Sequence, residues 1–187
     1  MGFSMTSTST KTGTTTYAID AAHSQVGFSV KHMMFATVRG NFRGFEGTIV
    51  VDNDNPANST VNVTIDASTI TTGEEKRDEH LRSADFFDVT NYPTITFKST
   101  SIDFRSADDF TINGELTMHG VTAPVKIKAE QTGEGTNPWG MDVAGFEGKT
   151  ELNREEYGLT YNAALEKGGV LVGKEIKINL ELEVAKQ

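Results

Sequence analysis

The sequence predicts an all-β fold on three observations. Apolar and polar residues alternate at a period of two along most of the chain; β-branched threonine is abundant, at 25 of 187 residues; and glycine (18) is plentiful where proline (4) is scarce. A chain of this length buries a real core in one domain, here placed at residues 17–187 after a Ser/Thr-rich segment, 1–16, that reads as a disordered tail.

The strands follow in order. A short one at 17–20 precedes 24–32, where Val26, Phe28, Val30 and His32 share a side. A second long strand covers 38–51 and includes Phe42, and a third covers 59–67 with Val61, Val63, Ile65 and Ala67 inward. In 94–105, Ile95 and Phe97 have one parity and Ile102 and Phe104 the other, which requires a bulge near Ser99–Ser101. The strand 110–118 aligns Phe110, Ile112, Gly114, Leu116 and Met118; 121–131 aligns Val121, Ala123, Val125, Ile127 and Ala129. Pro124 marks a bulge or an imperfectly paired neighbour. Strand 139–148 carries Trp139 and Val143 but changes parity along its length, and 173–184 alternates cleanly through Ile176, Ile178, Leu180, Leu182 and Val184. Eight long strands, each with one apolar face, share one interior, as a closed barrel or a two-sheet sandwich.

Two segments break the alternation. Residues 72–88 are charge-rich and predict one or two short helical turns, with Thr72 and Ser83 as N-caps. Residues 150–170 predict a long connection with one turn near Asn153–Tyr157, and such connections carry function or close an opening.

Composition excludes several functions. With no cysteine, there are no disulfides, zinc ribbons or thiol nucleophiles. Seventeen Lys and Arg against 26 Asp and Glu leave a net charge of −9, unsuited to nucleic acid or to an anionic membrane. No stretch is apolar enough to span a bilayer, and the first 16 residues hold no secretory leader, so the expected location is cytoplasmic. His23, His32, His80 and His119 show no metal-ligand spacing, and no nucleophile elbow, P-loop or dinucleotide fingerprint occurs. No catalytic residue, metal or cofactor is expected. The one dense ionisable run, Glu74–Arg82, reads either as a solvated helix or as a binder of a polar head group through Arg77, His80 and Arg82, with Asp78 fixing an arginine.

The inward face is more informative. An eight-stranded barrel is just wide enough to be filled by side chains or to hold one small ligand. Gly114, Ala123, Ala129 and Ala67 interrupt the large inward residues Phe28, Phe97, Leu116, Trp139 and Ile178, and leave room for a chain unless neighbouring rings fill it.

The motifs YAIDAAHSQVGFSVKH (17–32), VRGNFRGFEGTIVVD (38–52), KRDEHLRSADFFDVTNYPTITFKS (76–99), GELTMHGVTAPV (114–125) and GFEGKTELNREEYGL (145–159) together resemble the YceI-like family, from about Tyr17 to Val184. The resemblance implies an eight-stranded antiparallel lipocalin-like β-barrel whose apolar tunnel binds a polyisoprenoid or similar lipid. It also implies a lid or mouth at Arg77, Asp78, His80, Leu81, Phe86 and Phe87, with His23 and Ser24 nearby. Many relatives carry a signal peptide, which this chain does not show.

The expected function is therefore a carrier or sequestering protein for an isoprenoid or other long-chain lipid. No nucleic-acid partner and no stable membrane insertion are expected, and a homodimer is the candidate assembly. The expected lining is Phe28, Val30, Phe42, Val63, Ile65, Phe86, Phe87, Phe97, Gly114, Leu116, Ala123, Trp139, Val143, Ile178 and Leu180. Burying about 15 methylene equivalents at ~0.8 kcal/mol each gives a gross gain near 12 kcal/mol, enough for affinity without head-group contacts. Rival readings are a lipid-modifying enzyme using His80, His23 or Asp78 as acid or base, and a packed stress-response or interaction module.

Overall fold

The structure, a computed structural model, describes residues 11–187. Residues 1–10, most of the expected tail, lie outside the described residues. Thr14–Thr16 do not belong to a tail: they open strand β1, Thr14–Ile19, where they pair with Val50–Asp52.

Ten further strands follow among the described residues: β2 (Gln25–His32), β3 (Ala36–Phe42), β4 (Phe45–Asp52), β5 (Thr60–Asp66), β6 (Ile70–Thr71), β7 (Thr94–Phe104), β8 (Asp109–Met118), β9 (Val121–Thr136), β10 (Asp142–Asn153) and β11 (Val172–Lys186). They occupy eight positions. β1 and β2, separated by a 3-10 turn at Ala21–His23, both pair with one edge of β11; β4 pairs with β1 while β3 pairs with β2; β5 pairs with β4 while β6 pairs with β3. From β5 the meander runs through β7, β8, β9 and β10 to β11, all antiparallel. Tyr17↔Lys186 and Ile19↔Val184 close the circle. The result is a closed eight-stranded antiparallel β-barrel, which leaves few bare edges. The sandwich alternative is thereby excluded.

In β7 the register shifts between Ser99 and Ser101, leaving Thr100 without a β8 partner, so Ile95, Phe97, Ile102 and Phe104 all face the interior. Pro124 is paired with Glu115 on one side, but β10 first meets β9 at Lys128, so its missing N–H deprives no β10 partner. Where β9 and β10 diverge below that pair, the Thr150 hydroxyl donates to the Lys126 carbonyl at 2.8 Å.

The charge-rich segment forms helix α1, Glu75–Arg82, with an N-cap that differs from expectation. Glu74 caps the N-terminus, accepting from the N–H groups of Lys76 (3.3 Å) and Arg77 (2.8 Å). Thr72 cannot serve, because its hydroxyl is engaged with Asp78 and Arg77. Ser83 ends the helix, its hydroxyl donating to the His80 carbonyl at 2.6 Å, and the same hydroxyl accepts from the Asp85 N–H at 3.3 Å, capping the turn that follows. The expected turn after Asn153 is present as a 3-10 helix at Arg154–Tyr157, with Asn153 accepting from the Glu155 N–H.

The barrel therefore has unlike ends. Its upper end carries the short connections 53–59, 105–108 and 137–141. Its lower end carries α1, the 83–93 segment, the 119–120 turn and the 154–171 connection. The lower interior is packed by Ile70, Ile95, Met118, Tyr157 and Leu159, with Leu81, Phe87 and Val89 against them.

Candidate functional site

Above that plug lies a cavity of about 720 Å³, within the range of ligand sites. Its floor is Val26, Phe42, Ile65, Ile95 and Met118; its walls come from inward residues of the barrel strands; exposed Asn55, Pro56, Ser106 and Ala107 form a rim at the upper end. The wall is almost wholly hydrocarbon.

Of the fifteen residues expected to line it, Phe42, Val63, Ile65, Phe97, Leu116, Ile178 and Leu180 do so. Eight do not. Phe28 and Val30 lie further along β2 toward its turn, and Phe28 packs outside the floor against Phe42, ring centroids 5.9 Å apart. Phe87 meets Phe42 edge-on at 5.7 Å from within the plug. Phe86 sits farther out, between His80 (5.1 Å) and Tyr161 (5.0 Å). Ala123 has the lining parity but packs against the plug. The space over Gly114 is taken by the Phe97 ring. Val143 is off-parity, since β10 turns Phe146, Gly148, Thr150 and Leu152 to the cavity. Trp139 is 79% exposed, because β10 begins only at Asp142 and Trp139 sits in the turn before it.

Lining residues outside that set, such as Val61, Phe110, Ile112, Val125 and Ile127, were legible as members of the same alternating runs. Ser106 and Ala107 belong to a turn, where no period points inward.

The expected head-group residues do not gather at the rim. Arg77 and Asp78 are on α1, at the opposite end. Asp78 is 4% exposed and does not fix an arginine: it accepts from the Thr72 N–H (2.8 Å) and hydroxyl (2.5 Å). Burial pushes its carboxyl up, but the hydrogen bonds from Thr72 and Thr71 and the charge of Arg82 together outweigh this and hold it below the usual carboxylate range. Arg77 donates to the same Thr72, through Nε to Oγ1 (2.7 Å) and Nη2 to the carbonyl (3.0 Å). These side chains fasten the helix to β6. His80 pairs with Asp85 at 2.8 Å on the outer surface.

His23 and Ser24 lie on the barrel wall where β1 breaks from β2. The Ser24 hydroxyl accepts from the Glu183 N–H (2.9 Å) and donates to its carbonyl (3.3 Å), replacing the ladder bonds that the break interrupts. His23 pairs with Asp20 at 2.8 Å, which raises the imidazole and lowers the carboxyl relative to their ordinary values. Asp20, His23 and Glu183 bring potential ligand atoms within 4.8 Å of one another, on the surface and away from the cavity.

Sequence reasoning missed Arg154, which is 3% exposed. Its guanidinium donates to the carbonyls of Leu159 (2.5 Å), Gly173 (2.8 Å) and Val172 (3.3 Å), tying both ends of the long connection to the barrel. An isolated arginine in a polar run carries no sequence signal of burial.

Residues 17–184 match the YceI-like domain. Protein YceI of Shigella flexneri is 41% identical over 145 residues, covering 76% of this chain and 75% of that protein. Among solved structures, Burkholderia cenocepacia BcnA superposes with a TM-score of 0.76 at 23% identity, over 88% of this chain and 98% of that one. A polyisoprenoid binding domain from Saccharophagus degradans, implicated in plant cell wall breakdown, superposes with a TM-score of 0.64 at 13% identity, over 91% and 98%. The last two establish likeness of fold. The chain belongs to the YceI-like family.

Proposed function

We propose that this member of the YceI-like family holds an isoprenoid or similar long lipid chain inside its barrel, for transport, storage or sequestration. The observation that carries the reading is the 720 Å³ cavity, apolar from its Phe42 floor to its rim. Hydrocarbon entering it removes apolar wall from water, at roughly 25 cal/mol per Å². The Saccharophagus degradans domain, a polyisoprenoid binder of the same architecture, favours a branched prenyl chain as the occupant.

The floor is sealed by packed side chains, so the chain enters tail first and its head group remains at the upper rim. The polar groups there include Asn55, Ser106 and Gln131. Orientation is thus assigned to the upper turns, and α1 is a structural cap. A carrier is favoured over an enzyme by the position of the two histidine–carboxylate pairs: His23–Asp20 and His80–Asp85 both lie outside the lining.

Mass spectrometry of an organic extract from mildly purified protein tests the reading. A prenyl-chain lipid enriched over a control protein is expected. No enriched lipid, together with no binding of added polyprenol or isoprenoid quinone, would overturn it.

A further inference from the structure

The upper end of the barrel carries an apolar projection that the cavity does not use. Past its last β8 partner, Asp109↔Glu130, β9 continues through Thr132–Thr136 with β10 as its only ladder partner. At the tip, Trp139 is 79% and Met141 45% exposed. The turn is built to present them: the Asn137 side-chain oxygen accepts from the N–H groups of both Trp139 and Met141, each at 3.0 Å, and Gly140 between them has φ +82°.

Apolar surface leads from this end into the barrel. Phe104 lines the cavity yet is 40% exposed. Two tip side chains offer far less than the ~800 Å² per partner of a stable protein interface. A single indole is sufficient to sit at the boundary between lipid and water, where its apolar body and N–H are both satisfied. The charge around the projection selects the kind of surface. Asp103, Asp108, Asp109, Glu134 and Asp142 stand at this end, whereas Arg105 is paired with Asp109 (3.0 Å) and Lys186 lies 3.9 Å from Asp142. An anionic membrane would be repelled.

We propose that the β9–β10 hairpin tip, through Trp139 and Met141, seats the open end of the barrel on a zwitterionic lipid bilayer. The proposal deepens the carrier reading and rests on it for its purpose: the rim is then held where a prenyl chain can pass between bilayer and cavity.

Trp139 is the sole tryptophan, so its emission reports the tip directly. Phosphatidylcholine vesicles should shift the emission to the blue and shield it from acrylamide. Replacing part of the lipid with phosphatidylglycerol should weaken both effects. In flotation, Trp139→Ala should bind phosphatidylcholine vesicles roughly ten-fold or more weakly, as expected when one large apolar side chain is withheld. Trp139→Phe should retain most of the binding, and both variants should bind a fluorescent prenyl probe in vesicle-free solution as the parent does.

An unshifted parent spectrum, undiminished flotation of Trp139→Ala, or stronger binding to phosphatidylglycerol overturns the proposal. Loss of probe binding by Trp139→Ala also overturns it, by assigning the indole to the cavity. A parent that docks on vesicles but binds no probe sustains the anchor and defeats the carrier reading instead.

Discussion

Phe97 lies over Gly114. The two residues are diagonal neighbours on β7 and β8, and a β-carbon placed on Gly114 would collide with the Phe97 ring and come within 2.6 Å of the Lys98 carbonyl oxygen. The glycine in the GELTMHG run therefore leaves no room for a ligand. It lets an aromatic side chain lie flat against the sheet, and Phe97 then forms part of the cavity wall.

Gly114→Ala should accordingly destabilise the barrel by about 1–3 kcal/mol, because the new methyl group forces the ring and the backbone apart. Pairing it with Phe97→Leu should recover part of that loss. Urea unfolding of the two single variants and the double variant measures the coupling; strict additivity would show that the contact has no energetic role.

Asp78 makes the stability of the lower cap depend on pH. Its carboxyl is held below the ordinary value of 3.8, so its contribution is fully present above that pH and is lost as the pH falls through the lower folded-state value. Asp78→Ala should cost about 1–3 kcal/mol at pH 7, since it leaves the Thr72 N–H and hydroxyl without their acceptor. The gap between parent and variant should narrow below about pH 4, which denaturant titrations across pH will show.

Strand identity was readable from alternation because every barrel strand has one wet and one buried face. The bulge was readable for the same reason: Ile95 and Ile102 need a face that only an extra residue restores. What alternation cannot express is depth along the barrel. Ala123 and Ala129 have the same parity on β9, yet one meets the plug and the other the cavity. Nor does the chain order of α1 say which end of the barrel it covers, and Arg77, Asp78 and His80 stand at the end opposite the cavity rim. Alternation likewise does not distinguish Trp139 from a strand residue, although the Asn137 side chain has already begun the turn two residues before it.

The β2–β3 hairpin is strained. Met33 and Met34 are both left-handed, with φ of 54° and 71°, and the Phe35 N–H donates to the His32 carbonyl at 3.3 Å, the geometry of a type I′ turn. Asn-Gly is the natural pair for such a turn. Met34→Gly should raise stability by about 1 kcal/mol, read from thermal unfolding, since a non-glycine residue gives up roughly that much in this region. A lower melting temperature would mean that the packing of the Met34 side chain beside Gly169 outweighs the backbone strain.

One substitution made at two depths of β9 separates the plug from the cavity. Ala129 faces open interior beside Ile127 and Gly148, so the ring of Ala129→Phe has space to enter. Ala123, opposite Leu116, packs against close-fitting side chains at the lower end, so the ring of Ala123→Phe has to displace them. Overpacking costs typically 1–3 kcal/mol, and only Ala123→Phe should incur it in full. Binding should follow the reverse order, with Ala129→Phe losing a fluorescent prenyl probe and Ala123→Phe retaining it wherever the protein remains folded. Thermal unfolding of delipidated protein, measured beside probe titration, gives both values for each variant. Equal destabilisation at the two positions, with a parent that never binds the probe, would mean that the interior behaves as packed core throughout and holds no chain.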